Sequence, residues 1–383
     1  MISSTQNLLP DVKYDTIASP WKISGEHTHS LHRLCSRICS FPPLMPRYFI
    51  TQYSEVGDIV FDPWSGRGTV PLEALFNDRV GIGNDLSPEA YVLTKAKVQP
   101  SNLEDLNLFL DHLEIEITDR EVNRDLNELD REAAVFYSKK TFEQLLTVKK
   151  VLAEHDSVEA NFAKALLLGI LHGKSNTALS LTCSHSYSMS PNYVKKYAKE
   201  HHLRRPSKNI IEEIRTRAKV VLKDPLPLLR GDAYCEDSRK LSLENESVDL
   251  IFSSPPYFNV QTYARCNWLR LWFLDYDYRL VRKSLFESGS EKLYIDFMRK
   301  SLKELYRVLK EGKRCLIVAG DVPKRGRNTH TINIVDFLTP LFAESGFKLE
   351  NVITDKIPPT KRVLTYITPT QGVKIERIAI LVK

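Results

Sequence analysis

The chain has 383 residues, of which 42% are hydrophobic and 27% are charged, and its mean hydropathy is −0.28. This balance excludes an intrinsically disordered chain, and no apolar stretch approaches the roughly 20 residues that cross a bilayer. The length allows one large domain with an insertion, or two domains. A formal net charge of +6 fits a polyanionic partner without requiring one.

Six cysteines are scattered along the chain, and only Cys35 and Cys39 lie close together. A zinc site needs a second pair, and the ten histidines lack Cys, Asp or Glu neighbours at ligand spacing, so we expect no metal site. The N-terminus has no basic region followed by an apolar run, so we expect no secretion signal. Reduced thiols, a cytoplasmic location and no membrane association are therefore expected.

The first structural unit is predicted to be an N-terminal arm, residues 1–56, which is mixed in composition and rich in proline, as in Phe41-Pro42-Pro43. From Gly57 the pattern becomes a β-α-β-α series, which is typical of a parallel sheet. The predicted elements are a strand at 59–61, a glycine turn at 65–68, a helix at 70–76, a strand at 80–83 and a helix at 88–96.

The turn after the first strand is predicted to bind a ligand through its backbone. The run Asp62-Pro63-Trp64-Ser65-Gly66-Arg67-Gly68-Thr69 leads from a strand into a helix, and its two glycines remove Cβ and permit positive φ. The lysine of a phosphate loop and the third glycine of a dinucleotide fingerprint are absent. Asp85 follows the second strand, where a carboxylate can accept hydrogen bonds from both hydroxyls of a ribose.

The β-α series then stops, and residues 103–222 have the apolar spacing of helices. We interpret this segment as a helical insertion between two parts of one catalytic domain, 57–102 and 223–383. Its ends differ in charge: 101–132 holds eleven acidic residues against three arginines, whereas 195–224 holds ten basic residues against four acidic ones. The basic end is a candidate for phosphate contacts, and the insertion is a candidate target-recognition region.

Strands are predicted to resume at 226–229, just before Gly231-Asp232-Ala233, and then at 248–253 and 315–319. The tail supplies two more, at 349–354 and 375–382, as a terminal antiparallel pair. The strand at 248–253 ends in Ser253-Ser254-Pro255-Pro256-Tyr257. Each proline fixes φ and removes a backbone donor, which leaves carbonyls free to accept hydrogen bonds. The resulting rigid shelf suits a planar amine donor.

These motifs resemble those of the S-adenosylmethionine-dependent amino-methyltransferases of DNA, and specifically the branch that methylates the N4 amine of cytosine. That branch pairs Ser/Thr-Ser-Pro-Pro-Tyr with Asp-Pro-Phe-x-Gly-x-Gly-Thr; here Trp64 replaces the phenylalanine, and the glycine motif precedes the shelf. The resemblance implies an α/β, Rossmann-like methyltransferase fold with a mostly parallel seven-stranded sheet. It also implies S-adenosyl-L-methionine as cofactor, double-stranded DNA as substrate, and an N-terminal arm, residues 1–56, that packs beside the cofactor site.

The resemblance assigns roles to individual residues. Ser254, Pro255, Pro256 and Tyr257 are the expected catalytic residues, with Ser254 and a proline-region carbonyl accepting from the target amine and Tyr257 stacking on the base. Asp62, Gly66 and Gly68 would surround the methionine part of the cofactor, Asp85 the ribose, and Asp232 the adenine. The remaining expected cofactor contacts are Pro63, Trp64, Thr69, Leu86, Ala233 and Ser253.

Several alternatives remain open. A serine at the first shelf position favours cytosine N4 over adenine N6 by resemblance, and methylation of a cytosine ring carbon is disfavoured because no cysteine follows a proline. An RNA base methyltransferase and a catalytically silent nucleic-acid-binding module are the other hypotheses. A modification enzyme is expected in the bacterial cytoplasm, at the nucleoid, and can accompany a restriction endonuclease. The sequence makes no prediction of the oligomeric state.

Candidate DNA contacts outside the motifs have equally good structural interpretations. The candidates are Lys195, Lys196, Arg204, Arg205, Lys208 and Arg265. The first five are equally consistent with a solvated helix face. Arg265 lies in a segment, 263–274, in which arginines and aromatics are interleaved. Trp268, Leu271 and Trp272 recur there at helical spacing, which core packing explains as well as base contacts do.

Overall fold

The computed structural model describes residues 13–15, 20–21, 28–38, 40–120, 125–182, 188–258, 263–323, 331–356 and 375–383. The strands are β1 Lys13–Asp15, β2 Ile59–Asp62, β3 Val80–Asn84, β4 Asp232–Tyr234, β5 Val248–Ser253, β6 Leu309–Gly320, β7 Val322–Pro323, β8 Thr331–Ile332, β9 Lys348–Lys356 and β10 Ile375–Val382. Cys39 and Cys183 lie outside the described residues.

The helices alternate with the strands at both ends of the chain and follow one another in the middle. They are α1 Leu44–Tyr53, α2 Thr69–Phe76, α3 Pro88–Val98, α4 Leu103–Thr118, α5 Glu128–Ala134, α6 Lys139–Ala153, α7 Val158–Ile170, α8 Pro191–Glu200, α9 Ile210–Val221, α10 Tyr263–Cys266, α11 Trp268–Phe273, α12 Tyr278–Ser284, α13 Glu291–Val308 and α14 Ile334–Glu344, with a 3₁₀ helix at Ser30–Arg33.

The main sheet has the order β1-β9-β10-β6-β5-β2-β3-β4. Its pairs are parallel except those of β10, which lies antiparallel between β6 and β9. The predicted Rossmann-like, mostly parallel sheet of seven strands with a terminal antiparallel pair is thus confirmed, and β1 adds a short eighth strand at the edge. Every residue of the central strand β5 is buried, as expected for a strand covered by helices on both faces.

The sheet divides its apolar side chains between two helical layers. Leu250 and Phe252 of β5 face α1 and α2, whereas Ile251 faces α13 and α14. The two sides alternate along the strand because successive side chains point to opposite faces. The carboxyl ends of β2, β3 and β5 therefore meet at one edge, held between two packed layers.

One predicted strand is wrong. Residues 226–229 form no strand, and β4 begins only at Asp232. Pro227 removes one backbone donor from the predicted segment, Pro225 removes another just before it, and the side chain of Leu228 is 97% exposed. Asp232 consequently lies at the start of β4 and not beyond its carboxyl end.

The described residues of 103–222 form six helices, α4 to α9, and no strand. A side chain at the N-cap accepts a hydrogen bond from the first turn of each of them, which satisfies backbone donors that a helix leaves unpaired. These caps are Asn102, Asn127, Ser138, Ser157, Ser190 and Asn209. The helices share one apolar core with α3 and α11, so the segment packs directly on the sheet domain.

Candidate active site

The largest concentration of the predicted residues lies around an open cleft at the carboxyl ends of β2, β3 and β5. The cleft holds about 1180 Å³ of empty volume, part of it open to solvent. Strand order reverses between β2 and β5, since β2 leads to β3 on one side and β5 leads to β6 on the other. Such a reversal is the usual ligand position in an open α/β sheet.

The two glycines of the loop after β2 do different things. Gly66, at φ +55°, lines the cleft, and its backbone N–H donates to Asp85 Oδ2 at 2.9 Å. Gly68, at φ +70°, faces α3, where a Cβ would lie 2.9 Å from Thr94 Cα. One glycine thus brings the backbone to the cleft, and the other allows the loop to pack closely on a helix.

Asp85 lines the cleft and is held by its backbone neighbours. Its carboxylate accepts from Gly66 N and from Ser87 N, each at 2.9 Å. Burial raises its pKa, and the guanidinium of Arg37 opposes that rise. A carboxylate has about four acceptor positions, so two remain for hydroxyl donors in the cleft.

Asp62 is more enclosed than Asp85. It is 1% exposed, it does not line the cleft, and it accepts hydrogen bonds from Trp64 N at 3.2 Å and from the Ser253 hydroxyl. Burial raises its pKa to about 7, against the lowering effect of these two donors. Asp62 therefore ties the end of β2 to the end of β5, and so the glycine loop to the shelf.

The predicted shelf opens onto the same cleft, because Ser254, Pro255, Pro256 and Tyr257 all line it. Tyr257 is held at both ends. Its backbone N–H donates to the Tyr263 hydroxyl at 3.2 Å, and its own hydroxyl donates to Glu376 Oε1 at 3.2 Å. The cleft accordingly has the glycine loop and Asp85 on one side and a rigid proline-tyrosine wall on the other.

The remaining predicted cofactor contacts divide into two groups. Pro63, Trp64, Thr69 and Leu86 line the cleft together with Gly66 and Asp85. Gly68, Ser253, Asp232 and Ala233 do not. Asp232, the first residue of β4, pairs instead with Lys95 at 2.7 Å.

Residues 236–239, the loop after β4, reach the cleft in place of Asp232. The loop is fixed there by Ser238, whose hydroxyl accepts from Trp64 Nε1 at 3.0 Å, and by Glu236 N, which donates to Asn84 Oδ1 at 2.9 Å. Glu236 and Asp237 of this loop come shortly after β4. Had the strand been predicted at its correct position, these two acidic residues would have been the candidates for the cleft.

Sequence reasoning missed further lining residues, which come from the arm and from the segment after the shelf. They are Arg37, Ser40, Phe41, Tyr263, Lys283, Ser284, Leu285, Phe286 and Phe297. The arm was expected beside the cofactor, which pointed to its residues as a group but not to Arg37. No local pattern marks 283–286, because only the packing of α12 brings this segment to the cleft.

The candidate phosphate contacts also divide. Lys195, Lys196 and Arg204 are exposed. Arg205 donates to Val135 O at 2.6 Å, and Lys208 to Asn176 O at 2.7 Å, so both hold insertion segments together.

The segment after the shelf combines the two interpretations that its sequence allowed. Trp268, Leu271 and Trp272 are buried, as core packing required, and Arg270 is buried with them. Arg265 is exposed near the cleft.

The structure contains no group of three or more His, Cys, Asp or Glu residues suited to a metal among the residues it describes. None of its described helices has the length and apolar character of a membrane span.

The model of the DNA methylase family for N6 and N4 methyltransferases matches residues 4–96 and 248–369, more than half of the chain. The chain belongs to this family. Its cofactor is S-adenosyl-L-methionine, as the motifs implied. The cleft fits this group, since it offers backbone at Gly66 that lines the cleft, acceptor positions on Asp85 and the rings of Phe41 and Trp64.

Two curated relatives are type II methyltransferase M.MjaII of Methanocaldococcus jannaschii and orphan methyltransferase M.BamHII of Bacillus amyloliquefaciens. The first is 28% identical over 100 residues, 26% of this chain and 18% of the relative. The second is 35% identical over 86 residues, 22% of this chain and 32% of the relative. The chain thus spans less than a third of the length of either relative.

Among solved structures, TTHA0409 of Thermus thermophilus in complex with S-adenosyl-L-methionine is 21% identical, with a TM-score of 0.25 over 38% of this chain and 51% of that one. TrmN of Thermus thermophilus is 12% identical, with a TM-score of 0.34 over 92% of this chain and 52% of that one.

Proposed function

We propose that the chain is a site-specific DNA methyltransferase that transfers a methyl group from S-adenosyl-L-methionine to the exocyclic N4 amine of cytosine in duplex DNA. One observation carries this proposal: the glycine loop with Asp85 and the Ser-Pro-Pro-Tyr shelf line the same cleft. A cofactor held by the first and a base held by the second would have their reacting atoms in one space.

The chain's own residues have to activate a weak nucleophile. The lone pair of the cytosine amine is delocalised into the ring, so acceptors must hold the nitrogen and favour its pyramidal geometry. In our proposal the Ser254 hydroxyl and a backbone carbonyl of the proline pair accept its two N–H groups, and the ring of Tyr257 stacks on the base. When bound, the cofactor supplies an electrophilic methyl group. The target base has to leave the duplex to reach this cleft, at a cost of a few kcal/mol.

The test is transfer of labelled methyl groups to unmodified duplex DNA, followed by nucleoside analysis of the product. We expect label in N4-methylcytosine. If label appeared only in N6-methyladenine, the target base would be adenine and not cytosine, since the family contains both activities. Label transferred to RNA but not to DNA would overturn the choice of nucleic acid.

We further propose that the enzyme marks genomic DNA, alone or beside a restriction endonuclease, and that residues 103–222 contribute to target recognition. The exposed side chains of Lys195 and Lys196 on α8 support the second part, since exposed cations suit a phosphate backbone. Sequencing of methylated DNA from a host that expresses the protein would give the target. Replacing both lysines by glutamine should weaken DNA binding without changing the target base.

A further inference from the structure

Two cations beside the cleft are not used by the proposed chemistry. Lys283 of α12 is one of its lining residues, and Arg265 of α10 lies two residues after Tyr263, which also lines it; we call this part of the cleft the rim. Both side chains are exposed. Within the described part of the chain, neither has an ion-pair or hydrogen-bond partner. Charges exposed at the mouth of a binding cleft without counter-ions attract a ligand of opposite sign.

The other cations of the cleft are already engaged. Arg37 donates to Glu89 Oε1 at 3.2 Å, and Arg239 makes a bidentate contact with Asp237. The Nε of Arg67 donates to Thr69 Oγ1 at 3.2 Å. Lys283 and Arg265 are therefore the cations in this region best placed to meet a ligand at the rim.

The rim is also a rigid unit joined to the shelf. Ala264 of α10 packs on Val281 of α12, and Ala264 N donates to Glu287 Oε1 at 2.8 Å. Tyr263, at the start of α10, accepts the hydrogen bond of Tyr257 N. The helices that carry the two cations are thus fixed relative to the residues that would hold the target base.

We propose that Lys283 and Arg265 bind the phosphates that flank the target nucleotide when its base lies in the cleft. This inference rests on the proposed function. A nucleotide rotated out of a duplex takes its two neighbouring phosphates toward the mouth of the pocket, where they lose part of their ordinary hydration. Cations carried on a fixed backbone at that position compensate the phosphate charge.

The first experiment measures the rate of labelled methyl transfer to unmodified plasmid DNA as a function of DNA and salt concentration. Substitutions are K283Q, R265Q and the pair, with K283R as the conservative variant. Lys303 on α13 is exposed and does not line the cleft, so K303Q is the matched control. Melting temperatures establish that every variant folds.

We expect K283Q and R265Q each to raise the KM for DNA about 3- to 10-fold and to leave the KM for S-adenosyl-L-methionine within about twofold. Each should reduce the slope of log(kcat/KM) against log[salt] by about one, since one phosphate contact is lost. K283R keeps the positive charge, so its KM for DNA and its salt dependence should stay close to those of the wild type. If the variants behave like K303Q while the wild type methylates DNA, this inference fails alone. If the wild type transfers no methyl to DNA, the proposed function fails as well.

The second experiment locates the contact on a duplex that carries the mapped target. For the wild type, replacing one flanking phosphate by a neutral methylphosphonate should lower kcat/KM for DNA about as much as K283Q or R265Q does. The variant that already lacks the cation facing this phosphate should lose little more. If the loss from each phosphate replacement simply added to the loss from each substitution, the side chains would not contact these phosphates, and the proposal would be overturned.

Discussion

Asp62 and Asp85 follow neighbouring parallel strands, yet their surroundings give them different tasks. Asp85 lies open to the cleft with two backbone donors, whereas Asp62 is sealed behind it against Ser253. A motif match treats both as cofactor ligands. Their burial separates a residue that can meet a ligand from one that positions the loops around it.

The clearest prediction at this scale is a division of labour between Ser254 and Asp85. S254A should lower kcat at least about tenfold with little change in the affinity for S-adenosyl-L-methionine, because it removes an acceptor needed at the reacting amine. D85A should weaken that affinity about 10- to 100-fold, since hydrogen bonds to a charged group contribute about 1.5–3 kcal/mol. Calorimetry and single-turnover rates would measure both effects. Equal effects of the two variants on affinity would contradict this division.

Asp62 should make stability depend on pH. Its folded pKa of about 7 lies above the value of about 4 for an unfolded aspartate, so the folded state holds more protons in between. Stability from this group is therefore present at low pH, is lost as the pH rises from about 4 through about 7, and changes little above about pH 8. Between pH 6 and 8 the loss is about 1 kcal/mol.

The D62N variant cannot titrate at this position, so its free energy of unfolding relative to the wild type should rise by about 1 kcal/mol between pH 6 and 8. Urea unfolding at both pH values would measure this difference. A difference that stays constant, or that falls with pH, would show that Asp62 is ionised throughout the range.

At the scale of the elements, the loop between β2 and α2 depends on Gly68 for two reasons, its positive φ and its approach to Thr94. Gly312 allows the two reasons to be tested separately. It shares the positive φ, at +72°, but nothing lies within 4 Å of a Cβ added there. G312A should cost about 1–2 kcal/mol for the left-handed backbone alone. G68A should cost clearly more and also weaken cofactor binding, because the loop must move. Similar losses by urea unfolding would exclude a packing role for Gly68.

The elements that could be predicted from the sequence are those marked by residues close together in the chain. The strands β2, β3 and β5 were expected because apolar runs end in turn residues, and the shelf and glycine loop follow from their own residue types. The strand before Asp232 was misplaced because Leu226, Leu228 and Leu229 form an apolar run. Only Pro227 within this run and the exposure of Leu228 show that the run is not paired in the sheet.

Other features of the cleft could not be read locally. Arg37 reaches the cleft from the arm, and Lys283 from α12, through packing between segments far apart in the chain. Neither belongs to a motif with fixed spacing. A pattern indicates which residues can form a strand or a turn, whereas the residues that complete a cleft depend on how distant elements meet.

At the scale of the molecule, Arg270 joins three parts of the chain. Its guanidinium donates to Leu168 O of α7 at 3.1 Å, to Ser36 O of the arm at 2.8 Å and to Asn267 Oδ1 at 2.6 Å. Arg270, Leu168 and Asn267 are all buried, so the acceptors on Leu168 and Asn267 have no ready access to water. The arm, the helices of 103–222 and the segment after the shelf should consequently unfold together.

The prediction is that R270M destabilises the whole protein by about 3 kcal/mol or more, because methionine fills the space but leaves buried acceptors unpaired. Arg279 supplies the matched control: it makes a bidentate contact with Glu128 on the surface, and an exposed ion pair contributes little to stability. Urea unfolding of R270M should give one transition, shifted to lower concentration, whereas R279M should unfold almost as the wild type does. If R270M instead showed a separate early transition, or matched R279M, the helices of 103–222 would be an independent unit and Arg270 would not couple them to the sheet.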